Sequence, residues 1–184
     1  TSITSISSVA DFGFSAGVVK FVAAALGSND SEKAVSIIQT VTLFLGVSMA
    51  ILLIVLFPVF KILFDLLLLD NEYVIAIEIL PLVLVVAWLS MLVSILKGGV
   101  DSCLLLDLRS YSVGLFSLIF IGFVFVFTPR YGLKGVVFAH IIQNLGLLIL
   151  LWLVLKKHLN ELRLFPKKFR FDIIKEMWKF GMVF

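Results

Sequence analysis

Long apolar stretches alternate with short polar breaks along this chain. Residues 34–60, 79–96 and 110–129 carry no charged side chain, and His140 is the only titratable group in 135–155. At about 1.5 Å rise per residue, each run is long enough to cross a hydrocarbon layer roughly 30 Å thick. A fifth segment, 1–26, is apolar apart from Asp11 and Lys20, and stops at the breaker cluster Gly27-Ser28-Asn29-Asp30. The pattern predicts further helices over 34–57, ended by Pro58; over 74–96, ended by Lys97-Gly98-Gly99; over 110–127; and over 133–155. A basic linker, 156–171, follows, and another apolar helix starts near Asp172. The fold class is therefore all-α integral membrane. A transmembrane barrel would need alternating segments of about ten residues instead of continuous runs. A soluble fold of 184 residues has too little polar sequence to wrap four such helices.

Composition agrees, with 61% hydrophobic residues and a mean hydropathy of +1.18. The net charge of +3 hints at nucleic acid only until the charges are placed on the chain. Loops on one side hold Lys33, Lys97, Arg109, Lys156, Lys157, Arg163, Lys167, Lys168 and Arg170, whereas the other side holds Lys61, Arg130 and Lys134. Nine against three is the positive-inside pattern; it puts the basic side in the cytoplasm of a plasma (inner) membrane and excludes a nucleic-acid role. Asp65, Asp70 and Glu72 then fall outside. Leu159, Leu162, Phe165 and Phe169 recur at helical spacing in the linker, which predicts a stretch lying against anionic headgroups of membrane lipid. Cys103 stands alone, so neither an intramolecular disulfide nor a thiolate metal cluster is expected. The first residues lack the basic start and cleavage pattern of a signal peptide. The missing initiator Met and the apolar run that breaks off at Phe184 predict an internal piece of a longer membrane protein.

Polar groups inside the apolar runs are the candidate chemistry. Thr1, Thr4, Ser8, Asp11 and Ser15 share one stripe of the first helix. An ionised Asp11 facing lipid would cost several kcal/mol. It either lines a hydrophilic cavity as an ion, proton or substrate contact, or is capped by neighbouring hydroxyls and ties two helices together. Lys20 either snorkels to the cytoplasmic surface or places a cation at the inner mouth of a cavity, where a phosphate would be received. Gly13, Gly17, Ala24 and Gly27 are assigned to its side of the helix, a face for close helix approach. His140, Gln143 and Asn144 fall at i, i+3 and i+4 and form a polar patch that either bonds between helices or lines a path. Gln39, Thr42 and Gly46 make a weaker stripe. Glu78 and Pro81 mark either a kink beside a solvated cavity or a snorkelling carboxylate. No phosphate-cradling loop, paired metal-ligand histidines or activated nucleophile is present, so no enzyme activity, metal or cofactor is expected.

The run Asp11-Phe12-Gly13-Phe14-Ser15-Ala16-Gly17-Val18-Val19-Lys20, followed by Gly27-Ser28-Asn29-Asp30-Ser31-Glu32-Lys33-Ala34, resembles the end of the second helix and first cytoplasmic loop of polysaccharide flippases. These O-antigen and capsule repeat-unit exporters belong to the multidrug/oligosaccharidyl-lipid/polysaccharide (MOP) exporter superfamily, which includes the MATE-like transporters. Lys97-Gly98 resembles the glycine turn after the family's fourth helix, Tyr131-Gly132-Leu133-Lys134-Gly135 the opening of its sixth, and Lys179-Phe180-Gly181 the start of its seventh. The resemblance covers essentially the whole chain. That turn is usually basic in the family, whereas this chain has Asp101 and Asp107 beside Lys97 and Arg109, which argues against a pyrophosphate contact there.

The resemblance implies a fragmentary transporter lobe: five transmembrane helices of the N-terminal lobe in 1–155, a cytoplasmic linker in 156–171, and in 172–184 the start of a second lobe whose remainder is missing. The implied substrate is an oligosaccharide repeat unit on a polyprenyl pyrophosphate, flipped to the outer leaflet for polysaccharide biosynthesis. A coupling ion would be a further partner. Two rival readings are a cation-coupled multidrug exporter using Asp11, and a non-transporting membrane assembly subunit.

The charge asymmetry makes the topology testable. Single cysteines at Asn29 and Phe165 should react with impermeant maleimide from the cytoplasmic side; reaction from outside at both would overturn the orientation.

Overall fold

A computed structural model describes residues 14–159, 162–163 and 172–176 of the chain. Among them are five α-helices: α1 (Phe14–Gly27), α2 (Ser31–Leu67), α3 (Asp70–Ser102), α4 (Leu106–Tyr131) and α5 (Leu133–His158). Residues 172–176 are also helical. Four helices, α2 to α5, are long and apolar enough to cross a membrane, and α1 is a shorter apolar helix. The chain is a multi-pass all-α membrane protein.

Local chemistry sets the turns. The Asp30 carboxylate caps α2 by accepting from the Lys33 backbone N–H at 2.9 Å. The Ser28 hydroxyl donates back to the carbonyls of Ala24 and Ala25 at the end of α1. Gly132 joins α4 to α5 at φ 58, ψ −136, a conformation that a side chain would strain. Three residues further on, Gly135 meets the last turns of α4 so closely that a Cβ would lie 2.6 Å from the Phe127 carbonyl.

Two expected helix ends do not occur. Pro58 lies inside α2, which runs on to Leu67, and Gly98 and Gly99 lie inside α3, which runs on to Ser102. A proline removes one backbone donor, but where lipid surrounds the helix no water competes for the remaining bonds, so breaking it there costs more than bending it. The glycines persist in α3 because neighbours press against them. A Cβ at Gly98 would sit 3.0 Å from the Ser15 carbonyl of α1, and one at Gly99 would meet Leu155 of α5 and Ile38 of α2. In α4 the helix likewise continues through Pro129.

α3 is the hub, packing against each of the other four helices; α4 lies mainly on α5. The core gathers at one end of the bundle, where α2 begins and α3 and α5 finish. It is built from Val18 and Val22, Ile37, Ile38 and Val41, Val93, Leu96 and Val100, and Leu151 and Leu155. Leu159, Leu162 and Ile173 join it. This corrects the expected interfacial placement of Leu159 and Leu162, whose side chains are buried in protein; Phe165 and Phe169 lie outside the described residues. We call this the basic end, since Lys33, Arg109, Lys156 and Lys157 are exposed or half-exposed there.

Toward the far end the helices become exposed and unequal in length. α2 spans 37 residues and α3 33, against 26 each for α4 and α5. Glu78 of α3 pairs with Lys134 at the start of α5 at 2.6 Å. The eight residues of α3 before Glu78 therefore carry the α2–α3 hairpin about 12 Å beyond the α4–α5 turn. Its tip bears exposed Ile62, Leu66, Leu67 and Leu69.

The glycine contacts predict a contrast in stability. Gly135→Ala should lose about 1–3 kcal/mol in a micelle unfolding titration because backbone must shift. Gly122→Ala, with nothing within 4 Å, should be neutral or slightly stabilising; equal losses at both sites would refute the packing.

Candidate functional site

The polar groups of the spans divide among four places and do not converge on one site. Asp11 lies outside the described residues, as do Thr1, Thr4, Ser8 and Gly13. Ser15 is half-buried, and its backbone carbonyl abuts Gly98.

Lys20 occupies the first place. It is exposed on α1 with its ammonium 5.7 Å from the centroid of the Phe21 ring. Ala16, Ala23, Ala24 and Gly27 are exposed with it, whereas Gly17, Val18, Val22 and Ala25 are buried toward the bundle. Gly17 is thus corrected to the packed side, where α3 approaches α1, while Lys20 stands on the exposed side. That face combines one cation with side chains too small to fill space around it.

The second place is the first turns of α2. Gln39 is buried, and its side-chain amide donates to the Arg163 carbonyl, fastening the linker to the bundle. Thr40 is fully buried, and the hydroxyls of Ser36, Thr40 and Thr42 have no partner among the described residues. Buried hydroxyls without partners cost roughly 1–3 kcal/mol each.

The third place joins α3 to α5. Asn144 is buried; its amide nitrogen donates to the His140 carbonyl at 3.0 Å, and its oxygen accepts from Ser90 at 3.4 Å. The expected patch does not act as a unit. His140 is exposed and packs its ring 5.3 Å from Phe120 of α4, and Gln143 is half-buried. The i, i+3, i+4 spacing is right, but the three side chains fan across an arc wide enough to meet different neighbours.

Glu78 is the fourth, and it pairs with Lys134 at the start of α5. Both side chains are substantially exposed, at 55% and 40%, so the pair contributes little to stability.

Several contacts were not anticipated. The Trp88 indole N–H donates to the Gly46 carbonyl at 2.8 Å, tying α3 to α2 where Leu92 also rests on Gly46. Ser102 donates to the Gly98 carbonyl at 2.7 Å and lies 3.4 Å from that of Val19. Asp101 pairs with Arg109 at 2.9 Å across the α3–α4 turn. This bridge occupies the one arginine of the turn and fits the sequence argument against a pyrophosphate contact there. Burial pushes the Cys103 thiol above its ordinary pKa, so it is a poor nucleophile at neutral pH. Ser90 and Ser94, one turn apart in the third apolar run, were the available signal for the α3–α5 contact.

No family model matches the chain, nor does any curated protein or solved structure.

The Ser90–Asn144 contact is measurable by a double-mutant cycle of Ser90→Ala and Asn144→Leu. The coupling should be about 0.6 kcal/mol, the usual size of an interhelical bond in a membrane; zero coupling would remove the bond from the account.

Proposed function

We propose that this chain is part of a membrane transporter for a phosphate-bearing, lipid-linked oligosaccharide, which it passes from the basic face of the membrane to the opposite leaflet. The observation that carries the reading is the exposed Lys20 on the outward, small-residue face of α1. A cation on an otherwise small and apolar helix face is suited to a phosphate. A sugar pyrophosphate on a lipid carrier supplies the anion while its tail stays in the bilayer. The sequence resemblance to polysaccharide flippases names the same substrate class.

A specific observation also favours the assembly-subunit reading. Asn144 spends its bonding capacity inside the bundle, as a purely structural polar residue would. The two readings part at Lys20. In the full-length protein, Lys20→Gln should lower translocation of lipid-linked oligosaccharide roughly tenfold or more, the size of one lost charge-assisted hydrogen bond. Lys20→Arg should retain most of it. Wild-type transport by the Gln variant, normalised to folded protein, would refute the phosphate role, and loss of folding in both variants would assign Lys20 to helix packing.

A further inference from the structure

Between the far halves of α2 and α3 lies a cleft of about 480 Å³. Its walls are apolar, from Ala50, Leu53 and Phe57 on one helix and Pro81, Leu84 and Trp88 on the other. The only polar group among these side chains, the Trp88 N–H, is turned onto the Gly46 carbonyl, which closes the floor. The volume falls within the range of about 300–1,000 Å³ typical of sites that enclose a small ligand.

Depth identifies what surrounds the cleft. Pro81 lies about one turn along α3 from the Glu78–Lys134 pair, on the side toward the basic end. From Pro81 to Trp88 the cleft descends roughly 10 Å along α3, within the roughly 15 Å depth of one leaflet's hydrocarbon. Its rim residues Ile54 and Val85 are 72% and 43% exposed, continuous with the outward faces of two candidate spans. An exposed apolar rim on two spans gives the cleft an opening onto acyl chains.

Charge at the rim selects the headgroup. Lys61 is four residues beyond Phe57 and seven beyond Ile54, so it stands on the same face of α2, one turn outside the cleft, and is exposed. Asp65 follows one turn further out and is also exposed. A cation and then a carboxylate, about 6 Å apart along the helix, match a phosphate followed by an ammonium. Glu78, across the rim, already has Lys134 as its counter-ion.

We propose that the α2–α3 cleft is a binding site for one hydrocarbon chain of an aminophospholipid of the adjacent leaflet, its phosphate at Lys61 and its ammonium toward Asp65. The bound chain fills the gap that the Gly46–Trp88 contact leaves above itself. The site is separate from the Lys20 face and stands whether or not the chain transports an oligosaccharide.

The test reads fluorescence from Trp88. The full-length protein, with every other tryptophan replaced by Phe, is reconstituted in phosphatidylcholine vesicles containing phosphatidylethanolamine brominated near mid-chain. Bromine in the cleft should quench Trp88. Ala50→Phe and Val85→Phe, which fill the cleft from opposite walls, should each lose most of the quenching. Val126→Phe on the exposed face of α4 should lose none. Lys61→Gln should raise the brominated-lipid fraction needed for half-maximal quenching roughly fivefold, the effect of one Lys near the membrane surface. Unchanged quenching in whichever filled variant folds would overturn the site. So would a spontaneous disulfide between Ala50→Cys and Val85→Cys in membranes, which would mean that the helices close on each other and leave no room for a chain.

Discussion

How closely three helices approach α3 at Gly98 and Gly99 governs the basic end of the bundle. With no side chain at either position, the α1 backbone comes against Gly98, while Ile38 of α2 and Leu155 of α5 meet over Gly99. In a bilayer the lipid tails are as apolar as leucine, so burial alone does little to draw helices together. Close contact and the few available interhelical hydrogen bonds must hold the bundle instead. The bonds observed are placed accordingly. Ser102 reaches toward the Val19 carbonyl beside Gly98, Ser90 meets Asn144 two turns further along α3, and Trp88 reaches Gly46 just beyond. The clamped region ends there.

Beyond that level the same helices separate. α2 and α3 diverge enough to leave a lipid-facing cleft, and each contains a proline near its mouth, Pro58 and Pro81. Each proline leaves a carbonyl one turn back, at Ile54 and Ile77, without its usual helical donor. The chain thus has a rigid basic end and a far end with fewer contacts and weaker helices. This division suits a transporter lobe, in which one part holds its shape while another yields to substrate or lipid. It also explains why the polar groups do not converge. Those at the clamped end are mostly consumed in holding helices.

Much of the fold was legible because a membrane span advertises itself by length and lack of charge. All four long spans lie where the apolar runs place them, and the turns at Asn29, Cys103 and Gly132 fall in the polar breaks. The misplaced helix ends have one cause: breaker residues act more weakly here than in water. Pro58 and Gly98-Gly99 interrupt helices that water could solvate, whereas lipid penalises the interruption and neighbouring helices use the glycines. The candidate site was less legible. Spacing placed Asn144 and Glu78 on their faces, but their partners Ser90 and Lys134 lie 54 and 56 positions away, and only the packing of α3 against α5 joins them. Gln39 was singled out for its polarity, yet its partner is a backbone carbonyl in the linker, which no side-chain pattern could reveal.

The central claim is that the α2–α3 pair is fixed at the basic end and loose at the far end. Spin-label distances measured by double electron–electron resonance in lipid vesicles test it directly. One pair, at Glu32 and Leu104, reports the basic end; a second, at Ile62 and Ile75, reports the far end, and all four positions are exposed. The account predicts a narrow distribution for the first pair and a clearly broader one for the second. Equal widths, or a broader distribution at Glu32 and Leu104, would contradict it.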